Sequence, residues 1–242
     1  EEGVIKGKSE LFDFLKENSG YIFCNSDDQK QKEILGDYDN KFTFGQKDAD
    51  LIYTTITDEP NIVVDVNGAT IESTLFGNYN VQNIISAVTI GKYFGVKMQN
   101  IQEGISKYIS ENNRSQLIKK NGNRIRLDAY NANPTSMLLA IKSFDKINSK
   151  NKILILGDMY ELGGDENKFH QEIVDYCENL KVDRVFLVGK IFAKTNYSKK
   201  FFSYENYLKL SQSKEFKGVI DSNLLIKGSR GMQLEKILEF IN

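Results

Sequence analysis

The sequence predicts an α/β protein whose second half is a doubly wound sheet, and three observations carry that expectation. From residue 113 onward, strand-length apolar runs alternate with helix-length patterns, the arrangement of a parallel sheet wound by right-handed crossovers. Lys152-Ile153-Leu154-Ile155-Leu156 is apolar throughout after its lysine, as a strand covered on both faces must be. Several of these strands also end in polar, glycine-containing crests, the place where open α/β sheets bind ligands.

In chain order, residues 4–17 read as an amphipathic helix turning Val4, Ile5, Leu11, Phe12 and Leu15 inward. Residues 21–25 read as a short buried strand leading into Asn25-Ser26-Asp27-Asp28. Short strands are expected near 41–45, 50–56, 61–66 and 69–75, the last two joined through Asn67-Gly68, a strong hairpin turn signal. Helices follow at about 80–94 and 98–109, and this first half reads as the rim of a larger sheet. The junction is placed in Ser110-Glu111-Asn112-Asn113, giving domains 1–112 and 113–242. In the second, strands are expected near 124–128, 152–157, 184–188, 200–203 and 223–227. Helices are expected near 134–145, 166–180, 204–211 and 232–241.

Composition narrows the function classes. The 242 residues are 40% hydrophobic and 27% charged, ordinary for a globular protein. A net charge of −1 gives no electrostatic case for nucleic acid. No apolar run approaches the roughly 18 residues a membrane-spanning helix needs, and the N-terminus does not read as a signal peptide. No nucleic-acid partner and no membrane insertion are therefore expected, and a cytoplasmic location and a monomeric state accompany that expectation. Cys24 and Cys177 sit in apolar patterns and read as buried free thiols. With a single histidine beside them, a His/Cys zinc site is not expected.

The richest crest is Asp128-Ala129-Tyr130-Asn131-Ala132-Asn133-Pro134-Thr135-Ser136, between the strand Arg124-Ile125-Arg126-Leu127 and a helix bearing Met137, Leu138, Ala140, Ile141 and Phe144. Pro134 fits a first helical turn, with Asn133 placed to cap it. Gly157-Asp158-Met159-Tyr160-Glu161-Leu162-Gly163, Gly189-Lys190 and Lys227-Gly228-Ser229-Arg230-Gly231-Met232 close three further strands. Together with Gly77-Asn78-Tyr79-Asn80-Val81-Gln82-Asn83, these strings resemble the Mur ligases. That family's patterns G-x-H-N-x-x-N, D-x-YNANP-x-S, LGDM-x-ELG and KGSRGM run in this order. Four ordered motifs over about 155 residues are far more specific than a lone glycine pattern.

The resemblance implies a partial P-loop-type ATPase domain over 1–112, the last part of the Mur ligase central domain, followed by a complete Rossmann-like C-terminal domain. It implies a ligase using ATP and Mg in peptidoglycan precursor synthesis. There, a carboxylate of UDP-N-acetylmuramoyl-tripeptide is activated as an acyl phosphate and attacked by the amine of D-alanyl-D-alanine. YNANP and KGSRGM favour this branch over the folate polyglutamylating enzymes, which share the domain plan. A non-catalytic nucleotide- or peptide-binding module is the competing reading.

The glycine-rich loop that such chemistry needs is not found. The nearest string, Gly3-Val4-Ile5-Lys6-Gly7-Lys8-Ser9, has three residues between its glycines where the general motif has four. Val4 stands where the family's own G-x-x-G-K-[ST] places its first glycine. The string therefore reads as helix, and the chain alone is expected to be inactive, lacking an N-terminal UDP-binding domain and the phosphate loop. By resemblance it matches a segment downstream of that loop, with Lys8 as the catalytic candidate at the position of a lysine carbamylated in relatives. A carbamate suits magnesium, a hard ion that prefers oxygen ligands; a plain solvated lysine is the other reading.

Asn80 and Asn83 lie one helical turn apart on one face, and an amide that donates and accepts suits adenine. The resemblance gives both that contact, with simple capping open for Asn80. It matches Arg114 to an arginine reaching ATP phosphate or ribose, and Asp128 to a ribose-contacting carboxylate. Tyr130, Asn131, Asn133 and Ser136 are candidates for the incoming dipeptide. Capping stays open for Asn133 and Ser136, and packing for Tyr130. Asp158 and Glu161 either bind the dipeptide ammonium or position a loop, with positioning favoured. Lys227, Ser229 and Arg230 precede a helix, whose first amides favour anions, and substrate carboxylates are their expected partners. His170, beside apolar residues, reads as a packed histidine.

Overall fold

The chain divides into two units, Glu1–Ser73 with Asn80–Tyr108, and Thr74–Tyr79 with Ile109–Asn242. They part between Tyr108 and Ile109, a few residues before the expected 112/113 junction, and the second unit also takes Thr74–Tyr79. The computed structural model describes residues 2–241, the side chains at 2 and 4 excepted.

The first unit comprises α1 (Glu2–Glu17), β1 (Ile22–Asn25), α2 (Gln29–Leu35), β2 (Lys41–Gly45), β3 (Leu51–Thr57), β4 (Val63–Val66), β5 (Ala69–Glu72), α3 (Val81–Tyr93) and α4 (Met98–Lys107). Its strands form one sheet in sequence order, parallel from β1 to β3 and antiparallel from β3 to β5. The β4–β5 hairpin turns on Asn67 and Gly68, both at positive φ (52° and 83°), as a two-residue primed turn requires.

Phe12 and Leu15 of α1 pack against Ile22, Cys24 and Leu35. Leu11, expected inward, is 61% exposed. It sits one residue, or about 100°, round the helix from Phe12 and so falls off the buried stripe. The expectation for Val4 lies outside the described side chains. Gly3–Ser9 lies within α1, from its first turn onward, with no strand-to-helix loop among these residues. The unexpected helix α2 has no apolar periodicity; Asp28 specifies its start by accepting from the Lys30 and Gln31 amides.

The second unit contains β6 (Gln116–Lys120), β7 (Asn123–Asp128), α5 (Pro134–Asp145), β8 (Lys152–Gly157), α6 (Glu166–Glu178), β9 (Arg184–Val188), β10 (Phe201–Tyr204), α7 (Tyr207–Gln212), α8 (Lys214–Lys217) and β11 (Asn223–Lys227). Its sheet order is β10-β9-β8-β11-β7-β6, and every pairing is parallel except the β6–β7 hairpin.

Side chains alternate across a strand, and here both faces are covered. Leu154, Leu156, Val185, Leu187 and Leu225 meet Met137, Ile141 and Phe144 of α5 and Ile173 and Val174 of α6. Ile153, Ile155, Phe186, Val188, Leu224 and Ile226 meet Leu210 of α7, Phe216 of α8, and Leu234 and Ile237 near the C-terminus. Each such residue contributes about 1.5–3 kcal/mol on burial, so the doubly wound sheet follows from apolar runs that leave no polar face.

Two departures have local causes. The unpredicted β6 is a half-polar edge strand whose Leu117 is exposed, and lysines are a usual guard on such edges. The expected last helix is a 3-10 segment, Leu234–Phe240, entered through Gln233 in the left-handed region (φ 51°). Cys24 and Cys177 are free and buried, and burial pushes the Cys177 thiol up to about 12, which leaves it unreactive. Among the described residues, no helix is long and apolar enough to cross a membrane.

Candidate functional site

The strands β9, β8, β11 and β7 are parallel neighbours, so their four polar crests line one edge of the second unit. Gly157 and Gly228 let two crests meet. A Cβ on Gly228 would lie 3.0 Å from Gly157 Cα and 2.9 Å from Leu234 Cδ1, closer than side chains tolerate.

At the centre, Lys227 and Asp128 are register partners on β11 and β7. Lys227 Nζ donates to Asp128 Oδ2 at 2.5 Å and to the Asn131 carbonyl at 3.2 Å. The Ser115 amide donates to Asp128 Oδ1 at 3.3 Å. Both carboxylate oxygens are thus engaged, and both residues are buried.

Asp158 holds the neighbouring crests together. Its carboxylate accepts from the Ile191 amide at 3.0 Å and the Phe192 amide at 2.9 Å. Its carbonyl accepts from the Ser229 amide at 3.1 Å. Gly189, at φ 132°, makes room: a Cβ there would come within 2.2 Å of the Asp158 carboxylate. His170 is fully buried. Its Nε2 accepts from the Met159 amide at 2.9 Å, so the neutral ring carries its proton on Nδ1, 2.6 Å from the Glu166 carbonyl. Burial lowers its pKa, against the opposing pull of the Glu166 carbonyl and the Asp158 charge.

Ser229 is also buried, and its hydroxyl accepts from the Tyr160 amide at 2.9 Å. Tyr130 is half-exposed, with the Arg114 guanidinium 4.6 Å and the Arg230 guanidinium 5.7 Å from its ring centroid. Asn131 Oδ1 accepts from the Ala132 amide at 2.8 Å, which leaves its amide hydrogens for a ligand. Asn133 and Ser136 form a reciprocal capping box at the start of α5. Glu161 is exposed at φ 62°.

In the first unit, Asn80 precedes α3 without a side-chain cap bond. Its Oδ1 instead accepts from Asn83 Nδ2 at 3.1 Å. Asn80 is buried and Asn83 exposed. Asn83 keeps an acceptor and a second amide hydrogen for a purine edge, a donor set that fits adenine. Lys8 is exposed on α1. The described residues contain no group of three or more His, Cys, Asp or Glu side chains able to hold a metal.

Some of the braces carry no sequence signature. The Ser115 contact uses a backbone amide, and the partnership of Tyr160 with Ser229 spans two motifs read separately. The glycine of Gly189-Lys190 was the available hint for the Asp158 clamp.

Residues 1–91 match the family model described as Mur ligase middle domain. Residues 113–204 match the one described as Mur ligase, glutamate ligase domain. UDP-N-acetylmuramoyl-tripeptide–D-alanyl-D-alanine ligase of Bacillus subtilis is 32% identical over 251 residues, covering 98% of this chain and 54% of that protein. The Buchnera aphidicola protein of the same name is 29% identical with the same coverage, 98% and 54%. The chain thus spans about half the length of the curated relatives it matches. In fold, it is similar to MurF from Acinetobacter baumannii, with a TM-score of 0.81 at 24% identity over 98% of this chain and 56% of that one. It is also similar to MurF ligase from Thermotoga maritima in complex with ADP, with a TM-score of 0.74 at 19% identity over 91% and 53%.

Proposed function

Because this chain belongs to the Mur ligase family, we propose that it is the nucleotide- and amine-handling part of an ATP-dependent ligase. That ligase adds D-alanyl-D-alanine to UDP-N-acetylmuramoyl-tripeptide. The observation that carries the proposal is the single sheet edge where the crests of β7, β8, β9 and β11 lie side by side. The relatives bearing this dipeptide in their names support the choice of amine.

Magnesium-ATP, when bound, supplies the phosphoryl group that activates the tripeptide carboxylate. Asn83 reads adenine, and Asn80 holds the Asn83 amide in orientation. Asp128, already paired, meets a ribose hydroxyl with its remaining lone pairs, and Arg114 serves the phosphates. For the dipeptide, Asn131 offers its free amide hydrogens and Arg230 its guanidinium to the carboxylate. Exposed Glu161 takes the ammonium, since Asp158 is committed to the Ile191 and Phe192 amides. Asn133 and Ser136 act by fixing α5 beneath this crest, while Lys227 and Ser229 keep the crests in register. Lys8, if carbamylated, adds one oxygen ligand for magnesium.

The test is substrate choice in a longer protein in which a phosphate loop and a UDP-binding segment precede this chain. Supplied with both amine–acid pairs, it should convert the UDP-tripeptide and D-alanyl-D-alanine to the pentapeptide product, read by mass. Glutamylation of tetrahydrofolate instead, or no amide product, would overturn the assignment.

A further inference from the structure

Three cations rise from the β11 crest and the segment before β6, and they are not equivalent. Lys227 is buried and neutralised by Asp128. Arg114 and Arg230 are exposed, and neither makes an ion pair or side-chain hydrogen bond among the described residues. What they share is the ring of Tyr130, at 4.6 and 5.7 Å from its centroid. A ring attracts a guanidinium without accepting conventional hydrogen bonds from it, so the N–H donors of both arginines remain available for an oxyanion. Two such cations on one ring repel each other, and an anion between their donors removes that repulsion.

We propose that Arg114, Tyr130 and Arg230 form one oxyanion site, in which Tyr130 is the positioning residue and the two guanidiniums bind a single phosphate or carboxylate group together. Resting on the ligase reading only for its natural ligand, this assigns the phosphate-reaching arginine and the carboxylate-reaching arginine to one anion. The phosphoryl group and the dipeptide carboxylate therefore compete for the site, or occupy it in turn.

The experiment follows the arginine side-chain Nε–H resonances of the whole chain, assigned through Arg114→Lys and Arg230→Lys. Tripolyphosphate is the titrant in one arm, and D-alanyl-D-alanine or its C-terminal amide in the other. The expected result is that both resonances move with one midpoint for at least one oxyanion, and that amidation abolishes the dipeptide response. The arm that responds identifies the source. Tyr130→Leu should raise the midpoint about tenfold by removing two cation–π contacts, whereas Tyr130→Phe should restore it to within about twofold. Separate midpoints for the two arginines, no response to either oxyanion, or an unchanged midpoint in Tyr130→Leu would overturn the proposal. Because binding is read without turnover, failure of the ligase assay leaves this result standing, and the reverse also holds.

Discussion

Lys227 Nζ lies 2.5 Å from Asp128 Oδ2, across two strands whose register places these residues side by side at their C-terminal ends. The pair locks the crest of the last strand to that of β7, 99 residues earlier. Removing one partner leaves a buried charge uncompensated. Lys227→Met should lower the unfolding free energy by about 3–5 kcal/mol, and adding Asp128→Asn should recover part of the loss. Denaturant midpoints measure both, and a single variant within about 1 kcal/mol of the parent would show that the pair is not a hinge pin of the fold.

The pH dependence should pass through His170, the chain's one histidine. Its folded pKa is depressed below the ordinary 6.5 by burial, so below that value the unfolded state takes up the proton first. Its contribution to stability is full above about pH 6.5 and is lost as pH falls through the depressed folded value. The difference in unfolding midpoint between the parent and His170→Gln, which keeps a neutral polar side chain, should therefore change across this range. Parallel profiles from pH 8 to 5 would remove His170 as the source.

Asn133 should act on stability before it acts on substrate. Asn133→Ala breaks the capping box and should cost about 1 kcal/mol, while Asn133→Asp, also a good cap, should cost little. In the longer protein the KM for D-alanyl-D-alanine should stay within about twofold for Asn133→Asp, the cap being intact. A large rise in KM with unchanged stability would return Asn133 to direct dipeptide binding.

Adenine recognition should weigh on Asn83. Losing its paired amide contact should cost about 1–3 kcal/mol, a rise of roughly five- to 150-fold in the KM for ATP for Asn83→Ala. Asn80→Ala should show a smaller rise, acting only through the loosened Asn83 side chain. Equal effects would place Asn80 in direct contact, and no effect from Asn83→Ala would remove it from the site.

The strands β8, β9 and β11 were legible to within a residue or so because their apolar runs allow only a strand buried on both faces. The polar edge strand β6 and the short helices α2 and α8 were not, since edge pairing and capping specify them rather than hydrophobic period. Lys227 and Asp128 were each singled out, but their pairing was not. It depends on β11 inserting between β8 and β7, a choice of strand order that no local pattern records. The same holds for Asp158, whose role depends on amides contributed by the Gly189 turn.

The measurement that tests the account most directly is turnover by this chain itself. Phosphoryl transfer depends on a phosphate loop, its lysine and magnesium held in position, and the one string here that approaches the motif, Gly3–Ser9, is helical from its first residue to its last. Purified chain mixed with magnesium-ATP, UDP-N-acetylmuramoyl-tripeptide and D-alanyl-D-alanine should release no phosphate above a Lys8→Ala control and form no pentapeptide by mass. Phosphate release or pentapeptide formation above that control would make Gly3–Ser9 a working phosphate loop and contradict the account.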